Sequence, residues 1–131
     1  MVDKRKGRSE KLLTEVELEL MNIIWDKGTC TVRDVQEALP KKGERAYTSV
    51  ATVMKILEQK GALRSSKDQW PHSYEPLISR TEYETRSLRH LKENVFKGNP
   101  SSLVMRLLDD SPMSEEELRS LRKLLDERLK Q

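Results

Sequence analysis

The sequence predicts a mainly α-helical protein that contains one small β-hairpin. Apolar residues between Val50 and Leu57 recur at the i, i+3, i+4 and i+7 spacing of one helical face. Leu63 and Tyr74 alternate with polar residues on either side of a turn, as residues of a β-hairpin do. From residue 79 onward, leucine repeats at helical spacing, which predicts three further helices after the hairpin.

The length and charge of the chain limit the kinds of protein it can be. At 131 residues it has room for one domain, or for a small domain with an appended helical module. The formal net charge is only +3, so the total charge indicates a nucleic-acid partner only weakly. The distribution is more informative, because residues 13–40 carry two basic and six acidic side chains, whereas residues 41–67 carry seven basic and two acidic ones. We therefore expect a basic surface in the middle of the chain.

The cysteine and histidine content argues against a disulfide and against a metal centre. Cys30 is the single cysteine, which excludes an intramolecular disulfide and favours a buried structural thiol. With only His72 and His90 to accompany it, no zinc-ligand spacing can be assembled, so we predict no metal site and no cofactor. The first residues lack the apolar core of a signal peptide, and no apolar run is long enough to cross a bilayer. We expect a cytoplasmic protein.

The N-terminal part is predicted to be an arm followed by a buried helix. Residues 1–12 hold five basic side chains and almost no apolar ones, which predicts a disordered basic arm. Thr14 followed by Glu17 is a capping-box signature that begins the first helix. Apolar residues from Val16 to Trp25 cover two faces of this helix, so we expect it to be buried over much of its circumference, up to an end at Gly28.

The next segments predict a helix-turn-helix. The β-branched residues at 29–32 allow only a short strand, and Thr31 can cap a second helix, roughly Val32 to Leu39. We expect Val35, Ala38 and Leu39 to face inward. After a polar loop at 41–44, the central helix runs to Gly61, where a left-handed conformation suits glycine. Two helices joined by a loop, the second with a basic and polar outer face, form this arrangement.

The outer face of the central helix carries short and mostly uncharged side chains. Such residues let a backbone lie deep in a DNA major groove while hydroxyl groups reach base edges or phosphates. An ordinary surface helix, or a helix packed against a loop, can show the same composition. The helix alone therefore leaves both interpretations open. Its outer residues are Thr48, Ser49, Ala51, Thr52, Lys55 and Gln59.

We expect a hairpin to complete the first domain. Residues 62–66 and 72–76 flank a turn that is basic or polar apart from Trp70. Tyr47 and Trp70 have rings that can stack on nucleic acid, but as isolated aromatic residues we expect them to support packing. Three helices followed by a hairpin make a winged helix, which we place at residues 13–78.

Residues 79–131 are predicted to form a helical dimerisation domain. Ser79 begins a long helix that Gly98 closes, Ser101 to Asp109 forms a second helix, and Ser114 caps the last one. Chains below ~70 residues commonly lack enough core of their own, so we expect a second copy to complete this module. Packing against the winged helix is the alternative. The expected dimer contacts are Leu88, Leu91, Val95, Leu103, Leu107, Leu118, Leu121 and Leu125.

Three segments together resemble the BlaI/MecI family of bacterial repressors. They are residues 13–25, residues 46–53 with their continuation into 57–61, and Ser102-Leu103-Val104, and the resemblance spans nearly the whole chain. It implies a winged-helix homodimer on a palindromic, double-stranded operator, with recognition helices in successive major grooves and wings along the backbone. Members of that family control β-lactamase and penicillin-resistance operons, and a related branch controls copper transport.

The resemblance also implies which residues meet DNA. Ile56 stands where many relatives have arginine, and Ala51 replaces a polar residue of some relatives, so the operator sequence does not carry over. We add Ser49 to the expected DNA-binding residues because it lies on the outer face of the central helix. The expected DNA-binding residues are Tyr47, Thr48, Ser49, Ala51, Thr52 and Lys55 in the central helix, with Arg64 and Lys67 in the wing.

Release from DNA is a second expectation drawn from the resemblance. In antibiotic-responsive members, a membrane sensor metalloprotease cuts an Asn–Phe bond in the tail helix that begins Ser-Leu-Val. The corresponding bond here is Arg106–Leu107, which is the candidate cleavage position. The cysteine cluster of the copper-responsive branch is absent, which argues against metal sensing by that route.

We therefore expect a sequence-specific transcriptional repressor that has no small-molecule substrate. An enzyme is not expected, because neither His72 nor His90 has a nucleophile or carboxylate at a recognisable catalytic spacing. The alternative is a winged helix used as a protein-interaction module without a specific operator. Strong salt dependence of DNA binding would separate the two, because phosphate neutralisation releases counterions.

Overall fold

The computed structural model describes residues 12–40, 45–66 and 68–131. The predicted arm lies outside these residues except for Leu12, which is exposed. The described chain forms two compact units, one ending at Leu88 and one of Arg89–Gln131. Its elements, in chain order, are α1 Glu15–Lys27, β1 Cys30–Thr31, α2 Val32–Ala38, α3 Tyr47–Gln59, β2 Leu63–Ser65, β3 Ser73–Pro76, α4 Arg80–Asn94, α5 Pro100–Asp110 and α6 Glu115–Leu129.

Side-chain caps begin the first two helices where the sequence predicts them. The Thr14 hydroxyl accepts a hydrogen bond from the Glu17 amide at 3.2 Å, and the Glu17 carboxylate accepts one from the Thr14 amide at 2.9 Å. Thr31 and Asp34 form the same reciprocal pair at the start of α2. Hydrogen bonds to its carboxylate from the Thr31 amide and hydroxyl hold the pKa of Asp34 below its ordinary value. These caps satisfy amide groups that have no partner within the helix.

One hydrophobic core joins the first three helices to the sheet. Cys30 belongs to it as the predicted structural thiol, and burial raises its pKa to about 11. Val16 and Ala38, which we expected to face inward, are exposed. Glu17 takes the inward position at the start of α1, and its neighbour Val16 therefore points outward. The fully buried side chains are Leu20, Met21 and Ile24 of α1, Val35 of α2, Val50, Met54 and Leu57 of α3, and Leu63 of β2.

The sheet has three antiparallel strands in the order β1-β3-β2. The predicted hairpin is confirmed, with Leu63 opposite Pro76 and Ser65 opposite Tyr74. The strand β1 adds to the free edge of β3, which pairs Cys30 with Tyr74. The turn of the hairpin contains a cis peptide bond at Trp70–Pro71. Three helices followed by this hairpin confirm the winged helix-turn-helix class.

The start of α4 is attached to α1 by aromatic and polar contacts. The Trp25 indole N–H donates to the Ile78 carbonyl at 2.9 Å, and the Tyr83 hydroxyl accepts from the Leu13 amide at 2.9 Å. The Trp25 and Tyr83 rings lie 5.9 Å apart, and the Arg80 guanidinium sits 5.5 Å from the centre of the Trp25 ring. The first turn of α4 is therefore part of the winged-helix unit.

The second unit consists of short, well-capped helices. Asn99 accepts a hydrogen bond from the Ser102 amide at 3.2 Å, and Pro100 occupies the first turn of α5. Ser114 and Glu117 form a capping box at α6. We expected the helix that begins near Ser79 to run to about Lys97 and to be closed by Gly98. Gly98 has a left-handed φ of +78°, but α4 ends earlier, at Asn94. No helix among the described residues is both long and apolar enough to cross a membrane.

Candidate nucleic-acid interface

One face of the helix α3 is buried in the hydrophobic core, and the opposite face is exposed. Val50, Met54 and Leu57 are buried against the neighbouring elements. This confirms the predicted apolar face and fixes which residues point outward. The exposed residues of the opposite side include Tyr47, Thr48, Ser49, Thr52 and Lys55.

The N-terminus of α3 is uncapped within the described part of the chain. Ala46 occupies the N-cap position and offers no side-chain acceptor to the first turn. The amide groups of this turn carry the positive end of the helix dipole. They therefore suit an acceptor from outside the helix, such as a phosphate oxygen.

The Thr52 hydroxyl already donates its proton within α3. Its Oγ1 donates to the Thr48 carbonyl one turn earlier at 2.8 Å. The lone pairs of Oγ1 remain on the exposed side, so the group can accept from a base amine of adenine or cytosine. Its methyl group can contact the methyl group of thymine.

Ala51 and Ile56, the two apolar residues noted on this helix, differ from each other in exposure. Ala51 is half-buried and packs against the hydrophobic core, so only part of its methyl group is accessible. Ile56 is exposed one residue after Lys55. An apolar side chain here supplies surface but no hydrogen bond, in contrast to the flanking Lys55.

The wing residue Arg64 is not a free cation. Its Nε donates to the Glu75 carboxylate at 2.7 Å, and one of its terminal nitrogens contacts the same oxygen. The two residues are directly opposite each other on β2 and β3. The Arg64 side chain nevertheless retains 67% of its accessible surface. Lys67, the other predicted wing contact, lies outside the described residues.

The wing is joined to α3 by a direct hydrogen bond. The Ser65 hydroxyl donates to the Glu58 carboxylate, so β2 is tied to the C-terminal half of α3. Our sequence analysis assigned no role to Glu58 or Glu75. Their partners depend on the register of the hairpin and on how it meets α3, which no pattern within either segment specifies.

The expected packing role of the two aromatic residues is wrong. Tyr47 is 43% exposed at the start of α3, and Trp70 is 82% exposed in the turn of the wing. Neither residue packs against the hydrophobic core, because Tyr47 is the first residue of α3 and Trp70 lies in the turn between β2 and β3. Their rings therefore belong to the accessible surface of the candidate interface.

The predicted dimer contacts all lie in accessible positions of this single chain. Seven of the eight are exposed, and Leu103 is half-buried. In the unit Arg89–Gln131, every side chain is exposed or half-buried. Arg106 and Leu107, at the candidate cleavage bond, are both exposed within α5.

A sequence model of the penicillinase repressor family matches residues 13–127 of the chain. The chain belongs to the penicillinase repressor family. The match covers the winged helix, the wing and most of α6, so it extends over both compact units. This confirms the predicted resemblance. The family is one of regulatory repressors rather than of enzymes.

Individual relatives in the penicillinase repressor family share about a quarter of their residues with this chain. The methicillin resistance regulatory protein MecI of Staphylococcus aureus strain N315 is 24% identical over 116 residues, which cover 88% of this chain and 94% of that protein. The penicillinase repressor of Bacillus licheniformis is 26% identical over 115 residues, covering 88% of this chain and 90% of that protein. Among solved structures, a MarR family protein from Bacillus stearothermophilus is similar at 20% identity with a TM-score of 0.47, covering 96% of this chain and 84% of that chain.

Proposed function

We propose that the protein is a transcriptional repressor that binds a palindromic, double-stranded operator as a homodimer. The observation that carries this proposal is the arrangement of α3. Its apolar side is buried, its N-terminus has no side-chain cap among the described residues, and hydroxyl, aromatic and ammonium groups cover its outer side. Membership of a repressor family supports the same function.

The dimensions of α3 suit the major groove of B-DNA. An α-helix with its side chains is about 10–12 Å wide, and the major groove is about 12 Å wide. Short residues such as Thr48 and Thr52 let the helix backbone approach the base edges closely. Lys55, one turn further along, can reach a phosphate because its charged group sits on a flexible stem. In this pose Thr52 accepts from a base amine and Lys55 positions the helix.

A homodimer is supported by the surface of the second unit. The helices α5 and α6 contain no buried residue in this chain, yet both are amphipathic and rich in leucine. A unit of this size that buries no side chain gains too little from the hydrophobic effect to be stable alone. A second copy presents the same apolar stripe and can cover it through a two-fold interface. Two winged helices related by that axis would read two half-sites of a palindrome.

Release by a membrane sensor metalloprotease is part of the same proposal. The candidate bond, Arg106–Leu107, lies inside α5, and both side chains are accessible. Cleavage there would separate α6 from the winged helix and so remove leucines that the dimer needs. Exposure of producing cells to a β-lactam should then yield an N-terminal fragment that ends at Arg106, detectable by mass spectrometry. A chain that stays intact while the promoter is induced would contradict this route.

Two substitutions on α3 test the DNA-binding proposal. Lys55→Ala should weaken binding to a duplex from the region upstream of the gene by about fivefold at 0.15 M salt, because one phosphate contact is lost. The slope of log affinity against log salt should become shallower by about 0.9. Thr52→Val should weaken binding to that duplex by about tenfold and leave binding to a scrambled duplex unchanged, because only a base contact is removed.

Fluorescence anisotropy measured from low to moderate salt provides both quantities. Lys130→Ala, which removes an exposed lysine at the opposite end of the chain, is the matched control and should change neither affinity nor slope. Wild-type affinity that is insensitive to salt would favour a protein-interaction module. Unchanged binding by both α3 variants would place the DNA contact elsewhere.

A further inference from the structure

The first turn of α4 is fixed to α1 by contacts that involve neither α3 nor the wing. The Trp25 indole N–H donates to the Ile78 carbonyl at 2.9 Å, and the Tyr83 hydroxyl accepts from the Leu13 amide at 2.9 Å. Ile78 and Tyr83 are both buried, so the chain is held just before α4 and again in its first turn. The proposed contact between α3 and DNA does not account for this attachment.

Arg80 adds a third contact between α4 and α1. One terminal nitrogen of its guanidinium donates to the Asp26 carboxylate at 2.8 Å and to the Asn22 carbonyl at 3.2 Å. The same group lies 5.5 Å from the centre of the Trp25 ring. An exposed ion pair by itself adds little stability. A planar guanidinium that meets a carboxylate, a carbonyl and an aromatic face is held in one orientation. Arg80 is therefore suited to fixing the direction of α4.

The helix α4 passes from the first compact unit into the second. It is continuous from Arg80 to Asn94, and the first unit ends within it at Leu88. A helix of 15 residues is a rod of about 22 Å. A tilt of about 10° at its base would move its far end by ~4 Å, which exceeds the ~3.4 Å rise of one base pair. Small changes at the base of α4 are therefore large on the scale of DNA.

We propose that Trp25, Arg80 and Tyr83 are positioning residues that set which separation of half-sites the dimer reads. The inference rests on the proposed function, since it needs a homodimer on a palindromic duplex. In such a dimer, the second half-site binds with an effective concentration that depends on how stiffly the two winged helices are connected. A stiff connection favours one separation, whereas a loose connection accepts several. The three residues thus contribute specificity without touching DNA.

A purely stabilising role of these contacts has a different signature. If they only stabilised the winged helix, their loss would lower binding to every duplex alike, in proportion to the unfolded fraction. Loss of a positioning contact leaves binding to one half-site unchanged, because α3 and the wing are untouched. It weakens only the gain from joining two half-sites and makes that gain less dependent on their separation.

Arg80→Ala tests the proposal in the full-length protein. The probes are the palindromic duplex that the wild type protects in the upstream region, the same duplex with two base pairs inserted at its centre, and a duplex with one half-site. The insertion rotates one half-site by about 70° and moves it by ~7 Å. The wild type should bind the lengthened duplex more than tenfold more weakly than the native one. For Arg80→Ala, this difference should shrink to about threefold, with affinity for the single half-site unchanged.

Two further variants make the test specific. Arg89→Ala removes the same charge from an exposed arginine of the same helix and should keep the wild-type preference for the native separation. Tyr83→Phe keeps the buried ring, removes the hydroxyl that accepts from the Leu13 amide, and should reduce the preference as Arg80→Ala does. Sedimentation velocity and Tm check that each variant is a folded dimer. The Arg80 side chain is 43% exposed, so its loss should change the Tm little.

The possible outcomes separate this inference from the proposed function. An Arg80→Ala protein that discriminates between the two palindromic duplexes as strongly as the wild type would overturn the inference and leave the repressor proposal standing. Equal weakening on all three duplexes would indicate a stabilising role, which also overturns the inference. Wild-type protein that protects no duplex of the upstream region, or that sediments as a monomer, would overturn the proposed function as well.

Discussion

At the scale of single residues, Glu17 has two tasks that the capping pattern alone does not show. It completes the capping box of α1, and it also receives the Lys60 ammonium at 2.6 Å. Glu17 is only 6% exposed, and Lys60 follows the last residue of α3. The pair therefore links the start of α1 to the end of α3, which are far apart in the chain.

Glu17 should make the stability of the protein sensitive to acid. Burial raises its pKa, but the hydrogen bonds from Lys60 and from the Thr14 amide, together with the Lys60 charge, outweigh burial and lower the pKa below its ordinary value of 4.5. Because the folded pKa is lowered, the stabilising contribution is fully present above about 4.5 and is lost as pH falls through the folded pKa. Glu17→Gln should destabilise the protein by about 2 kcal/mol at pH 7 and reduce the loss of stability on acidification.

Denaturant unfolding at a series of pH values measures both effects. Glutamine still serves a capping box, so this variant isolates the contact with Lys60. Lys60→Met, alone and combined with Glu17→Gln, completes a double-mutant cycle. Equal stability of wild type and Glu17→Gln at pH 7, or additive effects in the cycle, would contradict the assigned role.

At the scale of elements, the wing carries an accessible arginine, Arg64, that forms an ion pair with Glu75 of the same hairpin. Glu75 lies opposite Arg64 across the hairpin and receives its guanidinium. A carboxylate at this position repels DNA phosphates and competes with them for Arg64. In the DNA complex that we propose, the Arg64–Glu75 pair would therefore restrain non-specific affinity.

Removing that counter-charge should tighten DNA binding. Glu75→Gln should increase affinity for any duplex by about fivefold at 0.15 M salt, since Arg64 becomes available to a phosphate. The salt dependence should steepen by about 0.9 in slope. Glu127→Gln removes one exposed negative charge from α6 and controls for the change in net charge. An equal gain from both variants would mean that net charge, and not release of Arg64, is responsible.

At the scale of the whole molecule, the proposed function depends on a second copy covering the exposed leucines of the second unit. Leu118, Leu121 and Leu125 repeat at helical spacing on α6, and all three are exposed in a single chain. Apolar stripes of this kind on several helices commonly mark an interface between subunits. In the proposed dimer, they hold two DNA-reading units at a fixed separation.

A charge placed in this stripe should separate the subunits. Leu121→Asp should give monomers in sedimentation velocity at micromolar concentration and lower the affinity for a palindromic duplex more than tenfold, because half-site binding is no longer linked. Ser120→Asp adds the same charge one residue away, off the leucine stripe, and should remain dimeric. A Leu121→Asp protein that still sediments as a dimer would place the interface elsewhere.

Much of the fold was predictable because its signals are local. Capping boxes at Thr14, Thr31 and Ser114 set the starts of three helices, and the spacing of Val50, Met54 and Leu57 set the inner face of α3. Each signal involves residues within two turns of each other, so hydrogen bonds or periodic burial within one segment are sufficient. The outer residues of α3 followed directly from the inner ones.

The contacts that define the candidate interface depend instead on residues distant in the chain. The addition of β1 to β3, the Arg64–Glu75 pair and the Glu17–Lys60 pair each require two segments to meet in one register. Trp70 shows the same dependence, because whether a ring is buried is settled by what folds over it and not by its neighbours in sequence. Local pattern thus specified the elements and the outward face of α3, whereas long-range packing specified which charges are paired and which aromatic ring stays exposed.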